Sequence, residues 1–270
     1  MRTIAIANQK GGVGKTTTAQ HLATALTMLG RRVLMIDMDK QHSLTDLYPS
    51  GNGGRGGMFG VIGGRTPGTQ ALDDVVMETY VEGLDLAPAD ERLVVSEEDL
   101  GGRDLRELVL SDAIAEMKQR YDYVVIDTSP GLGFLLLNSL VAADEIIIPI
   151  QTEPPAMRGF KLLYETVRRA RTVQEKFGEV KLFIRAVLPT FYHKGYIVDD
   201  DMLATLRQGR HPDYADQLMP VPEHVVHATT LFAQATLFNP DLQRTQTIFD
   251  LDPQHPAAVA YWRLAEVVDG

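Results

Sequence analysis

Six short runs along the chain are almost wholly apolar and rich in β-branched residues: TIAIAN (3–8), RVLMID (32–37), LDLAPA (84–89), YVVID (123–127), EIIIPI (145–150) and KLFIRAVLPT (181–190). Between them, apolar positions recur at helical spacing near 16–29, 104–119, 134–142, 156–177 and 199–208. Alternation of run and helix predicts an α/β fold: a mainly parallel, twisted sheet flanked by helices on both faces, in three layers. The runs do not alternate apolar with polar, as expected of strands covered on both faces. A last helix is predicted over 255–268, where Ala257, Val259, Ala260, Leu264 and Val267 surround Trp262. Glycine-rich residues 51–64 break the pattern. They read as a mobile loop with too little apolar surface to pack, either a plain insertion or a loop that orders on dimerisation or partner binding. No repeat or linker divides the chain, so residues 1–270 are expected to form a single domain.

Composition adds limits. The 44% hydrophobic and 23% charged content is that of an ordinary globular protein, and 270 residues suffice for one large core. The absence of cysteine excludes disulfides, iron–sulfur clusters and thiolate metal sites. The first apolar run passes straight into glycines and lysines, unlike a signal peptide. The longest mostly apolar stretch, GFLLLNSLVAA, is short for a bilayer. A cytoplasmic protein without membrane attachment is expected. The net charge of −10 argues against strong overall attraction to DNA or anionic lipid, while leaving room for a local basic patch.

The candidate chemistry begins where TIAIAN gives way to KGGVGKTT. Glycines 11, 12 and 14 would let backbone N–H groups converge on an anion, with the N-terminus of the next helix behind them. Lys15 would reach the β- and γ-phosphates of a nucleotide, and the Thr16 hydroxyl would coordinate Mg²⁺. Gln9 stands where the strict phosphate-loop pattern has glycine, and Thr17 stands where a dinucleotide fingerprint would need one. The loop is therefore a variant, with a second lysine, Lys10, at its head. Two further strand ends carry carboxylates, Asp37 and Asp39 after RVLMI and Asp127 after YVVI. Phosphoryl transfer needs acidic groups near the metal and the attacking water, and the ends of parallel strands are where they commonly lie.

KGGVGKTT resembles the deviant Walker A motif of the ParA/MinD family of ATPases. DMDKQHSLT resembles that family's switch I, DxDPQxxxT, departing at Lys40 and at His42, where proline and glycine are usual. YDYVVIDTSPGLG is similar to its Walker B and switch II, and NSLVAADEIIIPIQTEPPAMRGF and VLPTFYHKG continue the likeness. It runs over about residues 1–265 and is weakest over 50–75. It implies a P-loop NTPase fold and a slow, partner-stimulated, Mg²⁺-dependent ATPase with ATP as cofactor. Residues Lys10, Gly11, Gly12, Val13, Gly14, Lys15, Thr16 and Thr17 would bind phosphate. Thr16, Asp37 and Asp127 would serve the metal, with Asp127 acting through a water. Lys10 and Asp39 would be catalytic, Lys10 reaching the phosphates of the other subunit of an ATP-bound homodimer and Asp39 orienting water. Nitrogenase iron-protein and arsenite-pump relatives use cysteines absent here. The final helix carries Arg263, Glu266 and Asp269, unlike the basic membrane helix of MinD. The early phosphate loop points to the short ParA type.

The resemblance also implies nonspecific DNA binding, nucleoid association and a ParB-like or cargo-adaptor partner. Arg158, Lys161, Arg168, Arg169, Arg171 and Lys176 on one helix, and Arg207, Arg210 and His211 further on, would supply the cations. The same residues suit a solvated face with a Glu165–Arg169 pair. Two other functions stay open: a nucleotide-switched scaffold acting through a protein partner without DNA, and a metabolic P-loop kinase or ligase.

Overall fold

The computed structural model describes residues 1–49, 56–63, 70–101, 104–153, 156–210 and 218–270. Its strands are β1 (Arg2–Ile6), β2 (Val33–Met38), β3 (Met77–Glu78), β4 (Leu84–Ala87), β5 (Tyr123–Thr128), β6 (Glu145–Gln151) and β7 (Phe183–Thr190). They form one sheet in the order β3-β4-β2-β5-β1-β6-β7, antiparallel only at β3–β4. The helices are α1 (Lys15–Met28), α2 (Met58–Ile62), α3 (Leu72–Val75), α4 (Ser96–Gly101), α5 (Val109–Ala115), α6 (Phe134–Ala142), α7 (Ala156–Phe177), α8 (Ile197–Gln208), α9 (Leu231–Ala235), α10 (Ile248–Leu251) and α11 (Pro256–Asp269).

The unbroken apolar runs have their expected cause. Ile4, Ile6, Val33 and Met35 pack on one face against Leu22 and Leu26 of α1 and Tyr261 and Leu264 of α11. Their neighbours point the other way. Ala5, Ala7, Ile146 and Ile148 meet Leu137 of α6 and Leu163 of α7, while Leu34, Ile36, Val124 and Ile126 meet Met58, Ile62 and Leu110. Both faces of the central strands are dry, so period-2 polarity has no place in them.

The structure departs from expectation in several places, among them the short helices α3, α4, α9 and α10, which were not expected. The helix expected over 104–119 is confined to Val109–Ala115, and Leu105 before it adopts a left-handed φ of 53° that no α-helix continues through. The two-residue β3 lies at the edge of the sheet and had no readable run. Part of the glycine-rich segment is ordered: Met58, Val61 and Ile62 of α2 are buried in the core. Its N-terminus is tied by Met58 N–H to the Pro88 carbonyl at 2.8 Å and by Phe59 N–H to Asp90 Oδ2 at 3.2 Å. A Cβ on Gly57 would sit 2.6 Å from that Asp90 oxygen, so the glycine permits the close approach. Residues 50–55 and 64–69, which carry most of the remaining glycines, lie outside the described residues.

Strand register gathers the acidic groups. Asp37 of β2 and Ile6 of β1 both lie opposite Asp127 of β5, so the first loop and three carboxylates emerge at the same, carboxyl end of the sheet.

Candidate functional site

The loop from β1 to α1 turns through Gly12 at φ 72° and Gly14 at φ 89°, left-handed conformations that glycine adopts without strain. The Gly14 carbonyl accepts the Thr18 N–H at 2.9 Å and starts α1, whose first turn holds no acidic side chain. Its free N–H groups and positive helix end are left for an anion. The loop is pinned from outside. The Thr190 hydroxyl donates to the Val13 carbonyl at 2.9 Å, and Asn8 accepts from the Lys10 N–H at 3.0 Å while donating to the Pro149 carbonyl at 2.6 Å. Ends fixed on β6 and β7 hold the loop in shape without a ligand.

Behind it lies an unusual charge cluster. Lys15, only 6% exposed, donates to the Lys10 carbonyl at 3.4 Å. Burial pulls its ammonium below the ordinary lysine value, against the pull of Asp127 and Asp39. The Thr16 hydroxyl donates to Asp127 Oδ2 at 2.7 Å, while Asp127 Oδ1 is buried and accepts no hydrogen bond. Burial, then the Asp37 charge on the next strand, drives the Asp127 carboxyl well above the carboxylate range. Asp37 is pushed up to about 6, chiefly by burial.

Asp37 and Asp39 differ in what they hold. Asp37 gives both oxygens to its own loop: Oδ1 accepts the Asp39 N–H at 3.0 Å, and Oδ2 accepts the Thr45 N–H at 2.9 Å and hydroxyl at 2.7 Å. Asp39 lines the cavity and meets the chain through Oδ1, with Gln41 N–H and Ser129 Oγ each at 3.0 Å. His42 sits at φ 46°, so the backbone takes the left-handed turn even with histidine there. Its ring lies 3.0 Å from Asp46, which raises the imidazole pKa.

A cavity of about 480 Å³ joins these parts, lined among others by Gly11, Gly12, Gly14, Lys15, Thr16, Thr17 and Asp39. Lys10 is not in its lining. The Lys10 ammonium meets Glu153 at 2.7 Å and the Gln151 side chain, on the exposed end of β6. Several contributors had no readable motif. Phe191, at φ 55°, and Phe232 line the cavity from segments far along the chain. They also line a smaller apolar cavity of about 170 Å³ beside Gly14 and Thr17. His21 of α1, fully buried, lies 2.7 Å from the Thr17 carbonyl through Nδ1 and accepts the Ile248 N–H at 3.1 Å through Nε2. Burial lowers its pKa to about 4.

The expected basic residues are dispersed. Arg168 and Arg210 are exposed. Arg169 lies 3.9 Å from Glu107, Arg171 donates to the Leu182 carbonyl at 2.8 Å, and Arg207 donates to the Glu223 carbonyl at 2.8 Å. The Arg158 side chain and His211 lie outside the described residues. Leu163 of α7 and Leu206 of α8 share one core cluster, so the two helices belong to one layer. Among the described residues no helix is long and apolar enough to cross a membrane.

Residues 1–179 match the family described as an AAA domain. The sporulation initiation inhibitor protein Soj of Bacillus subtilis is 38% identical over 190 residues, spanning 70% of this chain and 72% of Soj. The chromosome partitioning protein ParA of Caulobacter vibrioides is 34% identical over 242 residues, 88% of each chain. Among solved structures, cobyrinic acid a,c-diamide synthase from Mycobacterium smegmatis, with bound ADP and magnesium, superposes with a TM-score of 0.76 at 30% identity, covering 98% of this chain and 93% of that one. Apo McdA of Cyanothece, at 23% identity and a TM-score of 0.78, shares the fold. With its variant phosphate loop, Asp37 and Asp39 at the end of one strand and these relatives along most of its length, the chain belongs to the ParA/MinD family of ATPases.

Proposed function

We propose that the chain, acting as one ATPase unit over residues 1–270, hydrolyses ATP slowly and closes as a homodimer in its ATP form. In that form it binds nonspecific DNA, and a ParB-like or cargo-adaptor partner stimulates hydrolysis to release it. The observation that carries the reading is that Lys15, Thr16 and Asp39 line one cavity, with Asp127 held behind Thr16 and one of its buried oxygens left without a partner. Lys15 and the first-turn amides of α1 would bind the β- and γ-phosphates. The 170 Å³ cavity against Phe191 and Phe232 suits the base.

The donor set fits a hard divalent cation. Thr16 offers a hydroxyl and Asp127 an unsatisfied carboxylate oxygen, and no cluster of three or more His, Cys, Asp or Glu ligands competes among the described residues. Magnesium, when bound, would neutralise developing phosphate charge. Asp37 would serve this shell from outside, by holding the loop that carries Asp39. Asp39 would orient the attacking water. Lys10, turned away from its own cavity, is available to a second subunit, where a cation at the γ-phosphate would act as an arginine finger does. Exposed Arg168 on α7 and Arg210 just after α8 would contact DNA phosphates.

An Asp39→Ala variant tests this reading. It is expected to bind ATP, elute as a dimer in size-exclusion chromatography, and shift nonspecific DNA in a salt-sensitive way. Wild-type hydrolysis by that variant would remove Asp39 from its role. A dimer that ignores DNA at low salt would favour a scaffold acting through protein partners alone.

A further inference from the structure

We propose that Glu97 of α4 is a positioning residue that clamps switch II and, through the strut Ala89–Glu97, locks it to switch I. The proposal rests on the ATPase reading for its kinetics but not for its structural readout.

Switch II, Ser129–Gly133, is anchored at both ends. At its entrance the Thr128 hydroxyl donates to the Ile6 carbonyl at 2.8 Å, and Ser129 Oγ lies 3.0 Å from Asp39 Oδ1 and 3.1 Å from the Met38 carbonyl. At its exit the Phe134 N–H donates to Glu97 Oε2 at 2.6 Å and the Leu135 N–H to Oε1 at 3.2 Å. These are first-turn donors of α6, where a carboxylate gains both charge-assisted hydrogen bonds and the helix dipole. A Cβ on Gly133 would overlap the carboxylate, so the helix start is seated directly on Glu97. Pro130, Gly131 and Leu132 between the anchors are exposed.

The other end of the strut holds switch I. The Thr45 hydroxyl donates to Asp37 Oδ2 at 2.7 Å and accepts the Ala89 N–H at 2.9 Å. From there the chain is anchored at several points. Asp90 caps the short helical turn Glu91–Val95 through the Arg92 N–H at 3.0 Å, and Leu93 and Leu100 are fully buried. One anchored segment therefore grips Thr45 at its start and α6 at its end, fixing the spacing of the loops that carry Asp39 and Ser129. The phosphate loop hangs on different supports, Thr190 and Asn8. Loosening the strut should cost alignment of the water-positioning carboxylate and leave nucleotide binding intact.

The test uses the full chain with Glu97→Ala, Glu97→Gln, Thr45→Val and, as a control, the exposed neighbour Glu98→Gln. A fluorescent ATP analogue reports binding, steady-state hydrolysis reports kcat and KM, and amide hydrogen exchange reports the loops. Glu97→Ala should lower kcat by about tenfold or more with KM and analogue affinity within about twofold, the pattern of a lost transition-state-only alignment. Exchange should accelerate at Phe134 and Leu135 and also at residues 41–45, and Thr45→Val should accelerate both loops in turn. Glu97→Gln, which keeps one acceptor oxygen, should fall between, and Glu98→Gln should match the wild type. Unchanged kcat, equal losses in kcat and affinity, or acceleration confined to 134–135 would each overturn the proposal. If the wild-type chain binds the analogue without hydrolysing it, the ATPase reading fails, and the exchange pattern still decides the clamp.

Discussion

At the amino ends of the strands, Glu145 is 2% exposed and is gripped by Arg2 and by Arg185, whose Nε donates at 2.6 Å. Arg31 meets Asp269 nearby at 2.8 Å, and the Asp122 carboxylate accepts the Arg32 N–H at 2.8 Å. At the carboxyl ends of the same sheet, Asp37 and Asp127 are fully buried side by side, and Lys15 is the only buried lysine or arginine among the described residues. One end neutralises its charge within the chain. The other is left short of positive charge and long on desolvated carboxylate, so the folded state carries strain that a bound cation with a polyphosphate would relieve. Stability is built at one end and binding capacity at the other.

The largest way to break that contrast is Lys15→Ala. It removes the one buried cation and should weaken nucleotide binding by at least about 100-fold, some 3 kcal/mol, in a titration with a fluorescent analogue. Next come paired substitutions of opposite sign. Glu145→Gln should destabilise the chain by about 2–3 kcal/mol in chemical denaturation, the partial exposure of both arginines softening the loss. Asp127→Asn should stabilise the nucleotide-free protein by about 1 kcal/mol while weakening its binding of magnesium nucleotide. A loss of stability there would contradict the strain.

Smaller effects concern pH. His21 has a folded pKa depressed to about 4, so its contribution is present above 6.5 and is lost as pH falls toward 4. Asp37, raised to about 6, works in the opposite sense, its penalty growing as pH rises from 3.8 through 6. Between pH 7 and 5 the two changes are each about 1–2 kcal/mol and largely offset. Asp127, whose carboxyl is driven well above the carboxylate range, adds stability on acidification wherever it is retained. On acidification, melting temperatures should therefore shift downward in Asp37→Asn relative to the wild type and upward in His21→Gln. The same slope in all three would remove both groups from the balance.

Much of this was legible in the chain. The strands ending at Asp37 and Asp127, and the glycines before Lys15, are local patterns: a buried parallel strand must be apolar throughout, and a loop wrapping an anion must admit left-handed φ. The parts that escaped have non-local causes. α2 hides in a glycine-rich segment because its burial depends on Pro88 and Asp90, about thirty residues later. Arg171 and Arg207 looked like free cations until the carbonyls of Leu182 and Glu223 came to meet them.

Sequence alone determined the layered α/β fold, the phosphate loop and which aspartates stand at strand ends, because spacing and periodicity act within a few residues of the chain. Only the tertiary structure decided what each charged group meets. It turned Asp37 inward to Thr45, left one oxygen of Asp127 unpaired, parked Lys10 on Glu153 and set Glu97 at the start of α6. Those outcomes depend on strand order and packing, which bring Lys10 and Glu153 together from about 140 positions apart, and on desolvation, which acts only once the core has closed.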